Sequence, residues 1–187
     1  MSGDLVYSNN TCSAFLTAIV RSFDKFHCGR YLGRTAIQKL AYFSQALGVP
    51  IPCSFDIYTY GPYSDTVMFT MESLLADEVV VDRSPKPQYS DYRPGPSADF
   101  LLEAYSGEVG PFADRIDRVV KGLGAFEPQE LELVATLHFI ARRQRQIFRR
   151  DPDKASVIRE FGDIKGDKFS HDETSRWYDA LKQAGLI

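Results

Sequence analysis

Residues 54–82, SFDIYTYGPYSDTVMFTMESLLADEVVVD, decide the fold. Ser54 to Tyr60 alternates well enough to predict a strand, with Phe55 and Ile57 on one face and Tyr58 and Tyr60 on the other. Gly61-Pro62 breaks it: glycine tolerates the positive φ of a sharp corner and proline stiffens it. Ser64 is placed to cap a helix that carries Val67, Met68, Met71, Leu74 and Leu75 at helical spacing. Glu78 to Asp82 is β-branched and predicts a second strand.

Working outward, residues 11–29 predict a helix with Phe15, Leu16, Ile19, Val20 and Phe23 on one face and Thr11 as its cap. A second helix spans 34–47, with Ile37, Leu40, Phe43 and Leu47 on one side and Gln38, Tyr42 and Gln45 on the other. Gly48-Val49-Pro50 ends it. Downstream, Ser84-Pro85-Lys86-Pro87 turns the chain, and 88–93 returns as an antiparallel partner. Helix, helix, strand, helix, strand, turn, strand is the order of a winged helix, expected over residues 1–95. Pro94-Gly95-Pro96 continues neither strand nor helix and is the expected boundary. Residues 96–187 read as a helical region packed on the first, with helices at 97–105, 111–122, 128–150, 153–162 and 171–185. The fold class is mostly α with a small antiparallel sheet. A shift of 106 residues aligns Ser64 with Ser170 and Leu75 with Leu181, a candidate structural repeat.

Composition narrows the function classes. The chain has 187 residues, 44% hydrophobic, with 22 Lys+Arg against 25 Asp+Glu, so it is neither disordered nor strongly charged. No apolar run approaches the ~20 residues of a membrane span. MSGDLVYSNN lacks the features of a signal peptide. Three cysteines, Cys12, Cys28 and Cys53, have no paired spacing. A cytoplasmic, bacterial-type protein is expected.

No catalytic, metal or cofactor constellation stands out. His27, His138 and His171 have no zinc-like spacing, and no nucleophile elbow, P-loop or dinucleotide fingerprint is present. Asp153, Asp163 and Lys165 imitate the acidic, acidic, lysine set of metal-dependent nucleases. The intervening residues read as a helix, whereas that set sits on adjacent strands.

Residues 141–150, ARRQRQIFRR, hold five arginines and no acid. A helical wheel places Leu133, Leu137, Ile140, Ala141, Ile147 and Phe148 with Gln144 on one face. Arg142, Arg143, Arg145, Arg149 and Arg150 fall opposite. Residues 97–140 carry three basic and eight acidic side chains, residues 141–168 nine and five, so the charge is segregated. The basic face is either a solvated surface paired with the acidic helices or a contact for phosphate or an acidic ligand. The helix over 64–77 holds Asp65, Glu72 and Asp77 and no Lys or Arg, so the usual winged-helix reading of DNA is not expected.

Arg34 to Gln45 (RTAIQKLAYFSQ) followed by Phe55 to Ser64 (FDIYTYGPYS) resembles the YwgA-like family of uncharacterised bacterial proteins. More distantly it is similar to the Panacea (SocA-like) domain of phage-associated proteins and antitoxins. The resemblance covers residues 34–82. It implies a non-catalytic, helix-rich domain that binds a partner protein, a toxin in the antitoxin relatives, and it implies no catalytic residues. Gln38, Tyr42, Tyr58, Tyr60 and Tyr63 are the expected partner-binding residues, since tyrosine offers area and a hydroxyl at small entropy cost. The other reading is a packing role for these tyrosines beneath the C-terminal helices, holding the two halves together. The leading expectation is partner binding; the alternatives are a nucleic-acid-associated regulator using Arg142–Arg150 and a metal-dependent nuclease.

Overall fold

A computed structural model describes residues 5–187. It is mostly helical, with two two-stranded antiparallel sheets, and it divides into two compact units. The first comprises residues up to Phe55 together with Tyr63–Phe126; the second comprises Asp56–Pro62 together with Glu127–Ile187.

In the first unit, α1 (Thr11–Phe26) is capped by Asn10, not Thr11. The Asn10 side chain accepts from Ser13 N at 2.9 Å. Phe15, Leu16, Ile19, Val20 and Phe23 are fully buried. They pack against α2 (Arg34–Ala46), α3 (Asp65–Ala76), β4 (Tyr92–Pro94), α4 (Ala98–Ala104) and α6 (Ala113–Leu123). A short α5 (Ser106–Val109) and a 3₁₀ turn (Gly110–Phe112) precede α6. Ser64 caps α3 as expected, and the Asp77 carboxylate at its far end receives Tyr7 N, Ser8 N and Ser8 Oγ. Those donors outweigh desolvation and hold the Asp77 carboxyl below its usual range.

Among the described residues β3 (Val80–Asp82) pairs only with β4, Val81 opposite Arg93. The predicted strand over 54–60 instead turns at Thr59-Tyr60, so that β1 (Asp56–Tyr58) pairs with β2 (Gly61–Tyr63). Gly61 takes φ +87°, the conformation the corner demands. A winged helix needs that strand beside the β3–β4 hairpin, and among the described residues it is not there.

Pro94-Gly95-Pro96 is not a boundary but a packed corner. Gly95 N donates to Val79 O at 2.8 Å, and a Cβ on Gly95 would lie 2.2 Å from the Glu78 carbonyl oxygen. The division falls at 126/127, where Glu127 and Glu130 form a capping box and Pro128 opens α7.

In the second unit, α7 (Pro128–Phe148) is central: every residue from Leu131 to His138 is buried. A helix buried all round is a core helix. α8 (Lys154–Lys165) buries Val157, Phe161 and Lys165, and α9 (His171–Gln183) buries Thr174, Tyr178 and Leu181. The Ser64/Ser170 echo extends to the caps, with Ser170 accepting from Glu173 N. It stops there, since Leu186-Ile187 forms no strand.

His138 is 4% exposed. Burial and the nearby Arg142 charge push its pKa down to about 4, against a weaker opposing hydrogen bond to the Leu186 backbone. The unfolded imidazole takes its proton near 6.5 and the folded one only near 4, so between those values the unfolded chain binds more protons. Stability therefore falls as pH drops through this window, by about 3 kcal/mol in all. Urea denaturation at neutral and at mildly acid pH should show this loss, and His138→Gln should flatten it.

Candidate functional site

The five residues expected to form a partner surface separate into two groups. Gln38 and Tyr42 are interior residues, 5% and 2% exposed, and offer no side chain to a partner. Gln38 Nε2 donates to Ser64 O and its Oε1 accepts from Ser64 N, both at 3.0 Å. This two-bond clasp ties the RTAIQKLAYFSQ block to the end of the FDIYTYGPYS block. A polar residue on a wheel reads as solvent-facing, yet here the amide is buried because it satisfies the backbone at the start of α3. Tyr42 packs against Phe43 and Phe55, ring centroids 5.2 and 5.4 Å away. Tyr63 is half-buried, its hydroxyl donating to Met68 Sδ at 2.8 Å.

Tyr58 and Tyr60 are different: they are 55% and 59% exposed on the β1–β2 hairpin. Asp56–Pro62 of that hairpin belongs to the second unit, which fixes it by an ionic cluster. Lys165 Nζ donates to Thr59 O at 2.7 Å and to Glu132 Oε1 at 2.9 Å. Lys168 Nζ completes the cluster, reaching both Glu132 oxygens at 2.9 and 2.7 Å and lying 5.2 Å from the Tyr60 ring centroid. The Lys165 and Glu132 side chains are 2% and 3% exposed. Burial pulls the Lys165 ammonium below its ordinary range, and the Glu132 carboxylate pulls it back. Neither Glu132 nor Lys168 attracts notice in the sequence. The available signal is the placement of Lys165 four residues beyond Phe161, in line with the buried stripe of α8.

This cluster also accounts for Lys165, the lysine of the nuclease-like set. Its ammonium is committed to Glu132 and Thr59, while Asp153 caps α8 by accepting from Ser156 N at 2.9 Å. The set is not assembled. Among the described residues, no group of three or more His, Cys, Asp or Glu could hold a metal ion. Burial raises the thiols of Cys12 and Cys53, the latter to about 12, which keeps both protonated and poorly nucleophilic.

The arginine face is shorter than its wheel. α7 ends at Phe148, with Arg149 in the left-handed region at φ +54° and Arg150 beyond it. Ile147 and Phe148, assigned to the apolar face, are 64% and 57% exposed. The last turn of α7 runs past the core that buries its middle. Arg143 pairs with Glu160 and Arg145 with Asp151, so part of the face is neutralised within the unit. Arg142 is half-buried beside His138.

A separate groove opens in the first unit between α2, α3 and the β3–β4 hairpin, with a volume of about 460 Å³. Ile37, Val67, Met71 and Tyr92 are buried and form its floor, with Met68 and Leu75 half-buried at its edge. Arg34, Glu72 and Asp82 bring charge to its rim. Sequence periodicity assigns Met68, Met71 and Leu75 to a core face; Met71 is buried there, while Met68 and Leu75 stay half-buried at the edge of the groove.

No protein-family model matches the chain, and a search of the curated proteins finds no match. Among the described residues, no helix is long and apolar enough to cross a membrane.

The ionic cluster makes a stability prediction. Lys165→Met strands the Glu132 charge with Lys168 alone and frees the Thr59 carbonyl, a change expected to cost about 3 kcal/mol. Glu132→Leu combined with Lys165→Met removes both buried charges and should recover much of that loss. Lys168→Ala, at a position 35% exposed, should cost about 1 kcal/mol or less after solvent screening. Urea denaturation of the four proteins checks the order.

Proposed function

We propose that this protein is a non-catalytic interaction module of the cytoplasm that binds a partner protein through its tyrosine hairpin. The observation that carries the reading is the exposure of Tyr58 and Tyr60 on a hairpin whose turn is held at the Thr59 carbonyl by the buried Lys165 ammonium. An exposed aromatic pair on a pre-ordered backbone binds with little further loss of entropy, which favours association. The resemblance to YwgA-like and Panacea domains points to an antitoxin-like or phage-defence-associated role, with a toxin as the partner. It belongs to this proposal and rests on the two sequence blocks.

The test is affinity capture from the native host. The unaltered chain should retain one stoichiometric protein, and Tyr58→Ala with Tyr60→Ala should reduce retention at least tenfold without shifting the melting temperature. Retention that is unchanged in the double variant would refute the hairpin as the binding surface.

A second reading is nucleic-acid contact by the end of α7, favoured by the exposed Phe148 beside Arg149 and Arg150. It requires affinity for single-stranded DNA or RNA that falls steeply with salt, and a shallower slope in Arg142→Ala/Arg149→Ala/Arg150→Ala. Filter binding across a salt series measures both; salt-insensitive binding removes this reading.

A further inference from the structure

The tyrosine hairpin leaves an exposed apolar surface of the second unit unused, the C-terminal turn of α7. We propose that this turn is a peripheral membrane contact, in which Ile147 and Phe148 enter the interface of a lipid bilayer while Arg149 and Arg150 hold its anionic headgroups. This goes beyond partner binding and does not depend on Tyr58 or Tyr60.

Shape comes first. Gln144 is the last buried residue of α7, its Nε2 donating to Ser156 Oγ at 3.2 Å and to Glu160 Oε2 at 2.8 Å. Every residue from Arg145 to Asp151 is exposed. Arg145 to Phe148 are still helical, so the helix stands about 6 Å clear of its last anchored residue. Arg149 then turns the chain in the left-handed region, and the Pro152 carbonyl is tied back by the Tyr178 hydroxyl at 3.0 Å. The result is a projecting end that carries two apolar side chains, 64% and 57% exposed. Amphipathic segments bury their apolar side about 5–10 Å into the boundary between headgroups and acyl chains, a depth this projection reaches. A convex end of this kind suits a fluid surface that closes around it.

Charge selects the kind of surface. Asp151 pairs with Arg145, Glu160 with Arg143 and Asp179 with Lys154, while Asp153 accepts from Ser156 N at the start of α8. Arg149 and Arg150 form no ion pair among the described residues. The Arg150 guanidinium lies 6.0 Å from the Phe148 ring centroid, so a cation sits beside the ring that inserts. A guanidinium binds phosphate through its planar fork, and anionic lipids attract basic residues held next to the bilayer. Phosphate alone would also suit a nucleic acid, and the apolar pair decides between the two. Bases stack on aromatic faces; Ile147 has none, and it is the more exposed of the pair. An acyl boundary takes both side chains.

The experiment is co-sedimentation of the full chain with sucrose-loaded vesicles of phosphatidylcholine, alone or with about one-third phosphatidylglycerol. The anionic vesicles should bind the chain about tenfold more tightly than the neutral ones, with a preference that shrinks as salt rises. Arg149→Gln/Arg150→Gln should bring the two vesicles level, and Ile147→Ser/Phe148→Ser should abolish binding. All four side chains are exposed, so neither variant should move the melting temperature. The chain has one tryptophan, so Phe148→Trp in a Trp177→Phe background reads insertion directly. Its fluorescence should shift to the blue on anionic vesicles and be quenched by brominated acyl chains. Tyr58→Ala/Tyr60→Ala should bind vesicles unchanged, so the hairpin and the helix end succeed or fail separately. No binding to anionic vesicles, indifference to phosphatidylglycerol, an unshifted spectrum, or binding that survives Ile147→Ser/Phe148→Ser would overturn the proposal. So would binding of single-stranded DNA that needs Phe148 but not Ile147, without vesicle binding, because the end of α7 would then be a nucleic-acid contact.

Discussion

Glu132 takes a carboxylate into the centre of the second unit, and two lysines from the end of α8 and the turn after it come in to meet it. A buried acid without partners would be held neutral or would unfold the helix that carries it. With Lys165 and Lys168 in place the charge is compensated, and a second consequence is positional. Lys165 still has an N–H to donate, and the carbonyl of Thr59 accepts it. That single bond sets where the β1–β2 turn lies against the unit, and with it the place of Tyr58 and Tyr60. Ionic clusters of this kind add little net stability over an apolar equivalent, but they define one arrangement among several of similar packing energy.

In the first unit the corresponding task falls to an uncharged clasp. Gln38 answers both the N–H and the carbonyl of Ser64, and so fixes the start of α3 relative to α2. The groove opens alongside that clasp. Its floor, Ile37, Val67, Met71 and Tyr92, is buried, and Met68 and Leu75 at its edge keep part of their surface. On its rim the charge of Arg34 acts on Asp82, and Glu72 is exposed to water.

Helices were legible in the sequence wherever apolar spacing and a cap coincided. Ser64 and Ser170 cap as read, and Pro128 opens α7 where expected. The errors have a common physical origin: local pattern says which faces are apolar, not what other segment meets them. Gln38 and Tyr42 looked like a polar face and are buried, because a distant backbone group and a distant ring are their partners. Ile147 and Phe148 looked like core and are exposed, because the helix outruns its neighbours. Gly95 looked like a break between regions and is instead a point of close approach, set by the carbonyl of Glu78. The alternation over residues 54–60 was real, but a strand and one arm of a hairpin share that signature. Of the site, the exposed tyrosines were readable and the cluster that holds them was not, since Glu132 lies in a run of leucines and valines with no local sign of its burial.

The second unit is assembled from two separate stretches of chain, because residues 56–62 are inserted from a part of the sequence that otherwise builds the first. A proteolytic or engineered cut at 126/127 would therefore not yield two self-sufficient pieces. The C-terminal fragment would be left with an ammonium group facing the space that a carbonyl from the other fragment should fill. Evolution by simple shuffling of one half without the other is closed to such a chain, and on the ribosome the seven-residue loop must wait, already synthesised, for helices that emerge some seventy residues later.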